Sequence, residues 1–356
     1  MVDWSASMTQ TYEFYIVDPG TWKDKQLLNT VKTAKINRDA TVETLGSATI
    51  DVTETIGECY IRIYIITNQN GVTEKHPLGT FLAQTPSTSF DGKVKEISMD
   101  AYTPLIELKE KLPPIGYYIP KGEDVLYRAF TLVRENARAP VVDAKGGDNP
   151  LLKVQEDYIA ETEDTQLSYI RDLLSSIKYK LDLDDMSRVI FVPDQDTESL
   201  QAVWTYDDNN SSILYPELTM DHDLYGIPNV VEVIYTNGSD SCHCRILNDD
   251  ENSPTSIQRR GREIIHRVTD PGFTGIPTKE QVEEYAKTLL KELSTIEYTV
   301  SYTHGYCPVR VGDCVRLNYS RAGLTNVKAK VISQSIECTP GCPVSETAIF
   351  TKKLWR

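Results

Sequence analysis

The chain has 356 residues, a mass of 40.2 kDa and a sequence pI near 4.9, a length that predicts roughly two or three domains. Lys plus Arg number 37 against 52 Asp plus Glu, for a net charge of −15 with 40% hydrophobic residues; this is a folding composition, and its acidity disfavours a nucleic-acid binder that grips phosphates over a wide face. Mean hydropathy is −0.36, no apolar run approaches the ~20 residues of a membrane helix, and Met1–Ser5 lacks the basic start of a signal peptide, so neither an integral membrane protein nor a Sec-exported enzyme is expected.

The first hundred residues read as β-structure. Tyr12–Val17 predicts a strand closed by the turn Asp18-Pro19-Gly20. Cys59–Ile65 alternates: Cys59, Ile61, Ile63 and Ile65 share one face, and Tyr60, Arg62 and Tyr64 the other. Asn70-Gly71 is a hairpin signal with Leu78–Leu82 as the returning strand, and Asp91-Gly92 marks a further turn before Lys93–Ile97. Pro104, Pro113, Pro114 and Pro120 then punctuate a transition. A helix is expected over Glu123–Ala137, with Val125, Ala129, Leu132 and Val133 inward, ended by Ala139-Pro140. Residues 146–150 read as a loop. A second helix is expected from the spacing of Leu167, Ile170, Leu174, Ile177 and Leu181 behind Glu163 and Asp164.

Val189–Val192, Ala202–Tyr206 and Val230–Tyr235 are strand candidates, the last turning at Asn237-Gly238 into Cys242–Ile246. Thr278 and Gln281 form a capping box ahead of the apolar stripe Val282, Tyr285, Ala286, Leu289 and Leu293. Strands at 298–302, 313–317, 328–332 and 348–350 close the chain. The expected class is α+β, predominantly β: two small β-barrel domains at 1–104 and 297–356, an inserted α+β domain at 105–228, and a linking hairpin-and-helix segment at 229–296.

Seven cysteines, an odd number, fit free thiols in a reducing compartment. Cys242 and Cys244, with His243 between them, and the pair Cys338 and Cys342 offer a four-ligand zinc or iron–sulfur site. Neither spacing is a C-x2-C knuckle, and on a strand His243 faces away from both neighbours, so half-buried structural thiols are the expectation, with no metal and no cofactor. Asp182, Asp184 and Asp185 start like a calcium loop, but Met186 stands at the next ligand position. No G-x-S-x-G, H-E-x-x-H or Walker loop is present. Arg259, Arg260 and Arg262 form the densest basic cluster, suited to an acidic neighbouring subunit or to phosphate. The absence of a convergent reactive set favours a binding or structural role over catalysis.

Three stretches carry a resemblance. They are Leu45–Ile50 followed by Tyr60–Tyr64 and Pro77–Phe81; Ser253–Ile257 running into Arg260-Gly261-Arg262; and Pro308–Leu317, with proline and then Gly312-Asp313 leading into a strand. Together with the segment order, they resemble the baseplate hub proteins of contractile phage tails and phage-tail-like bacteriocins. The resemblance implies a non-enzymatic homotrimer whose paired β-barrels adapt a three-fold spike to a six-fold tail tube. Its partners would be the tube protein, the spike protein and other baseplate proteins. DNA would pass without specific binding, and the particle would be assembled in the bacterial cytoplasm. On that reading Tyr60, Arg62, Tyr64, Arg259, Arg260, Arg262, Val315 and Leu317 are interface candidates, the strands Tyr60–Ile65 and Val311–Leu317 continuing a neighbour's sheet. The competing readings are a carbohydrate-binding or wall-degrading tail component, served by 20 tyrosines and 4 tryptophans, and a metal-binding adapter built on the four cysteines.

Overall fold

The structure, a computed structural model, describes residues 2–92, 94–142, 150–237, 240–269, 271–273 and 276–355. Most of the loop expected at 146–150, Gly238 of the expected hairpin turn, and Lys93 lie outside them. Packing groups the chain into two units, Met1–Leu218 with Tyr302–Thr347, and Thr219–Ser301 with Ala348–Arg356. The architecture is α+β and predominantly β, as expected.

The first unit opens with β1 (Thr9–Asp18), β2 (Lys23–Leu27), β3 (Val31–Asp39), β4 (Gly46–Val52), β5 (Cys59–Gln69), β6 (Val72–Asp91) and β7 (Val94–Tyr102). The insertion follows: α1 (Ile106–Lys109), β8 (Tyr118–Ile119), α2 (Val125–Asn136), β9 (Tyr158–Ile159), α3 (Gln166–Ser175), β10 (Tyr179–Leu183) and β11 (Val189–Pro193). Next come β12 (Ala202–Asp207) and β13 (Leu214–His222). The second unit holds β14 (Val230–Asn237), β15 (Asp240–Leu247), α4 (Ile257–Arg260), β16 (Ile265–Val268) and α5 (Lys279–Leu293). The chain then runs through β17 (Thr295–Gly305), β18 (Cys314–Tyr319), β19 (Leu324–Glu337) and β20 (Pro343–Lys353).

In the first unit the strand order is β20-β19-β3-β4-β7-β6-β5-β1-β2, with β18 beside β19 and β12. The β3–β19 ladder, with Ile36 opposite Ile336, joins the first and last segments in one sheet. The four segments expected from the sequence are therefore not the packing units. β12, read as part of the insertion, pairs in parallel with β18 instead.

Local chemistry explains the joints. Asn70 and Gly71 both take positive φ (53° and 80°), the backbone a two-residue hairpin between twisted strands requires. Gly46 has φ 136°, and a Cβ there would sit 2.1 Å from the Asn37 carbonyl oxygen, so the β3–β4 connection admits only glycine. β5 alternates as read. Ile61, Ile63 and Ile65 enter a core with Ile36, Ile50 and Met99, while Tyr60 enters a second core with Trp22 and the apolar faces of α2 and α3.

In α2, Val125, Ala129, Leu132 and Val133 are buried as expected, and Asp124 caps the helix by accepting from the Tyr127 N–H. α3 is shorter than its periodicity predicts. It ends at Ser175, Lys178 adopts a left-handed φ of 58°, and Leu181 sits on β10. The turn after β10 fastens the insertion to the sheet: Trp22 Nε1 donates to the Met186 carbonyl (2.9 Å), and the Thr80 N–H to Ser187 Oγ (2.8 Å).

The second unit has a three-stranded sheet, β15-β14-β16. α5 covers one face, packing Val282, Ala286 and Leu290 against Val231, Val233 and Cys244. The expected Thr278–Gln281 capping box is formed.

Candidate functional site

The strands expected to continue a neighbour's sheet have no free edge to offer. β5 pairs with β1 on one side and β6 on the other, and β18 lies between β12 and β19. Their side chains are also taken up within the chain. Arg62 is 1% exposed. Its guanidinium meets Asp24 Oδ1 at 2.8 Å, donates to Thr80 Oγ1 at 2.8 Å and donates to the Trp22 carbonyl at 3.1 Å. The Tyr64 hydroxyl donates to Asp24 Oδ2 at 2.8 Å, and the Lys75 ammonium lies 4.0 Å from its ring centre, a cation–π contact. Tyr60 packs edge-on against Trp22 with centroids 5.0 Å apart, and burial pushes its phenol well up. Val315 and Leu317 are core residues. The 22–24 turn and the insertion cover a face that alternation alone presents as outward.

The arginine cluster is partly structural. α4 is capped by Ser256 and closed by Gly261 in the left-handed conformation. Arg260 spends its guanidinium on the Ile227 and Leu224 carbonyls (2.9 and 2.7 Å), and Arg259 Nε donates to the Glu251 carbonyl at 2.9 Å. Arg262 is exposed.

Cys242 and Cys244 face α5, with His243 exposed on the opposite side, the alternation expected of the strand. Burial raises the Cys244 thiol. It also raises Cys338, and it pushes Cys342 up to about 11, so all three thiols are protonated at neutral pH. Cys338 and Cys342 belong to the first unit, Cys242 and Cys244 to the second. Among the described residues no group of three or more His, Cys, Asp or Glu side chains is placed to hold a metal ion. Asp184 bends back to accept from the Met186 and Arg188 N–H groups (3.0 and 2.8 Å), which makes it a turn-former.

Sequence reasoning missed a buried polar cluster in the first unit. Glu346, on β20, accepts from Tyr302 (2.5 Å) and Gln334 Nε2 (2.6 Å) and lies 3.4 Å from His304 Nε2. His304 also contacts the Tyr206 hydroxyl (3.0 Å) and the Gly305 carbonyl (2.7 Å). The signal was present in the alternation. His304 follows Tyr298, Val300 and Tyr302 on the inward face of β17, and Glu346 follows Val344 on that of β20.

Among the described residues, two strand pairs carry exposed apolar side chains at their ends. Beyond Ala83, where its ladder with β5 ends, β6 continues through Thr85–Asp91 paired to β7. It ends near Phe90, which is 75% exposed. On the insertion, Tyr118 and Ile159 are cross-strand partners and are 53% and 65% exposed, with Leu112, Ile115 and Tyr127 also exposed. The adjacent exposed pair Tyr118 and Ile159 is the candidate contact there.

No helix among the described residues is long and apolar enough to cross a membrane. No protein-family model matches the sequence, and no curated protein sequence matches it. Solved structures do match. A tail protein from Neisseria meningitidis MC58 aligns over 96% of this chain and 97% of its own, with a TM-score of 0.60 at 12% identity. The 43 kDa tail protein of prophage MuSo2 from Shewanella oneidensis aligns over 95% and 98%, with a TM-score of 0.58 at 10% identity. A chain of the Francisella PdpA–VgrG complex aligns over 96% of this chain but 58% of its own, with a TM-score of 0.53 at 10% identity. The likeness is one of fold, and it runs the whole length of the two tail proteins: this chain is built as they are.

Proposed function

We propose that this protein is a structural, non-enzymatic baseplate hub of a contractile phage tail or tail-like bacteriocin. In this reading it is a homotrimer that joins a six-fold tail tube to a three-fold spike. The observation that carries the proposal is the overlay on two tail proteins, which covers 96% and 95% of this chain. The absence of a recognised nucleophile or metal motif in the sequence is consistent with it. Work would then be done through surfaces, with the apolar patch around Tyr118 and Ile159 as the contact the chain offers to other baseplate components. The net charge of −15 per chain is multiplied by three in a trimer. Acidic side chains lining a lumen would repel DNA phosphates and let a genome pass without adhering.

Native mass spectrometry of the purified chain, alone and mixed with candidate tube and spike proteins, tests this. The expected species is three times 40.2 kDa, alone or on adding a partner. A chain that stays monomeric with every tube and spike candidate, or that releases sugar from cell-wall fragments, overturns the reading.

A further inference from the structure

Between the sheet of the first unit and its insertion lies a cavity of about 650 Å³, within the size range of small-molecule sites. Leu78, Gly79 and Phe81 of β6 give it an apolar floor. Its charged lining is not self-neutralised. Arg310 is paired with Asp185 at 3.1 Å. Arg38, by contrast, donates to two neutral acceptors, the Leu78 carbonyl (2.8 Å) and Gln334 Oε1 (3.2 Å). Arg171 donates to the Glu43 carbonyl at 3.2 Å, again neutral. Lys178 and Lys180 also line the cavity, and among the described residues neither has a carboxylate within 4.0 Å.

The carboxylates of the lining do not cancel these four cations. Asp184 is engaged by Arg188, at 2.5 Å, and Asp194 by Lys330, at 3.6 Å. That leaves Asp172 and Asp182. Burial raises the Asp182 carboxyl, against Arg310, Lys180 and Arg38, which favour its charged form. Burial also lowers the Arg38 guanidinium, and the neighbouring Arg310 adds to this against Tyr306, Asp185 and Asp182. The lining thus carries five cations, Arg38, Arg171, Lys178, Lys180 and Arg310, against four aspartates, a small cationic excess in a chain of net charge −15. Lys178 is exposed and Arg38, Arg171 and Lys180 are half-buried, so an anion entering from solvent meets all four.

We propose that this cavity is a binding site for a small oxyanion carrying two negative charges, a phosphate or a dicarboxylate, held by Arg38, Arg171, Lys178 and Lys180. A guanidinium fork matches both carboxylate and phosphate oxygens. Lys180 lines the wall close to Gly312, where an added Cβ would lie 3.4 Å from its Nζ.

The experiment is isothermal titration calorimetry and thermal unfolding of the full chain with inorganic phosphate, and separately with succinate, against chloride at matched ionic strength. Binding at about 10 mM or below is expected, with a matching rise in Tm. Lys180→Gln and Arg171→Gln, which break no ion pair, should each weaken it about tenfold. Heat with phosphate alone identifies a phosphate site, and heat with succinate alone a dicarboxylate site. No heat and no Tm rise beyond chloride with either anion overturns the proposal, as does binding that both variants leave unchanged.

Discussion

His304 Nε2 and Glu346 Oε2 face each other at 3.4 Å, and neither side chain has any exposed surface. Burial alone would push the imidazolium down, but its hydrogen bonds to Cys307 and Glu346 outweigh that and hold the group at about 10. The folded value thus lies above the ordinary 6.5. The stability this residue contributes is complete below about pH 6.5 and is lost as pH rises toward 10. Glu346 is fixed from three sides, by His304, Tyr302 and Gln334, and replacing it removes the carboxylate that helps to hold His304 protonated. Glu346→Gln is expected to cost about 3 kcal/mol at pH 7. It should also flatten the fall in stability between pH 6.5 and 10. Urea titrations across that range check both effects, and an unchanged pH slope would show that the pair does not set it.

Arg62 was legible as a position and misread as a surface. The alternation of Cys59–Ile65 gives the two faces correctly, and a face carrying Tyr, Arg and Tyr looks solvent-directed when only the strand is considered. What turns it inward is Asp24, 38 positions away, with the Trp22 carbonyl and Thr80 completing the shell. Alternation records which residues share a face, and it carries no information about what covers that face. The same limit hid the end of α3. Leu181 keeps the helical period, but the left-handed Lys178 lets it do so from a strand. β2 was missed because Lys23–Leu27 is exposed throughout and has no apolar alternation to betray it. Where the signal was local, as in the Thr278–Gln281 box or the Asn70-Gly71 turn, sequence and structure agree residue by residue.

Arg62→Lys should keep the charge and lose the fork. One ammonium cannot reach Asp24, Thr80 and the Trp22 carbonyl together as the guanidinium does. The expected loss is about 2 kcal/mol, against about 4 kcal/mol for Arg62→Ala, which also leaves the buried Thr80 hydroxyl and the Trp22 carbonyl without their donor. The measurement is the urea midpoint of each variant with the m-value held as a check on two-state unfolding. Equal midpoints for lysine and arginine would mean that the charge alone matters.

Gly46→Ala places a methyl 2.1 Å from the Asn37 carbonyl oxygen at a φ of 136°. No side-chain rearrangement relieves a clash between two backbones, so a loss of several kcal/mol or failure to fold is expected. Gly57→Ala is the control, since a Cβ there meets nothing within 4 Å; it should change stability by less than about 0.5 kcal/mol. Soluble yield and Tm of the two variants side by side separate a required glycine from a tolerated one.

Tyr118 and Ile159 stand opposite each other on β8 and β9 with most of their apolar surface in water. Their exposure costs the isolated chain hydrophobic stabilisation that a partner would recover, at about 25 cal/mol per Å² covered. The double variant Tyr118→Ser, Ile159→Ser removes that surface without touching the buried side of the insertion, where Ile119, Val154 and Tyr169 pack. Tm is therefore expected to stay within a few degrees of the parent chain. Co-expression with the tube, spike and neighbouring baseplate proteins is the decisive arm. The variant should fold, remain soluble and fail to enter assembled particles, which quantitative mass spectrometry of purified particles would record as its depletion against parent chain. If it enters them at the parent level, assembly contacts lie elsewhere, and the exposed strand around Phe90 becomes the next surface to alter.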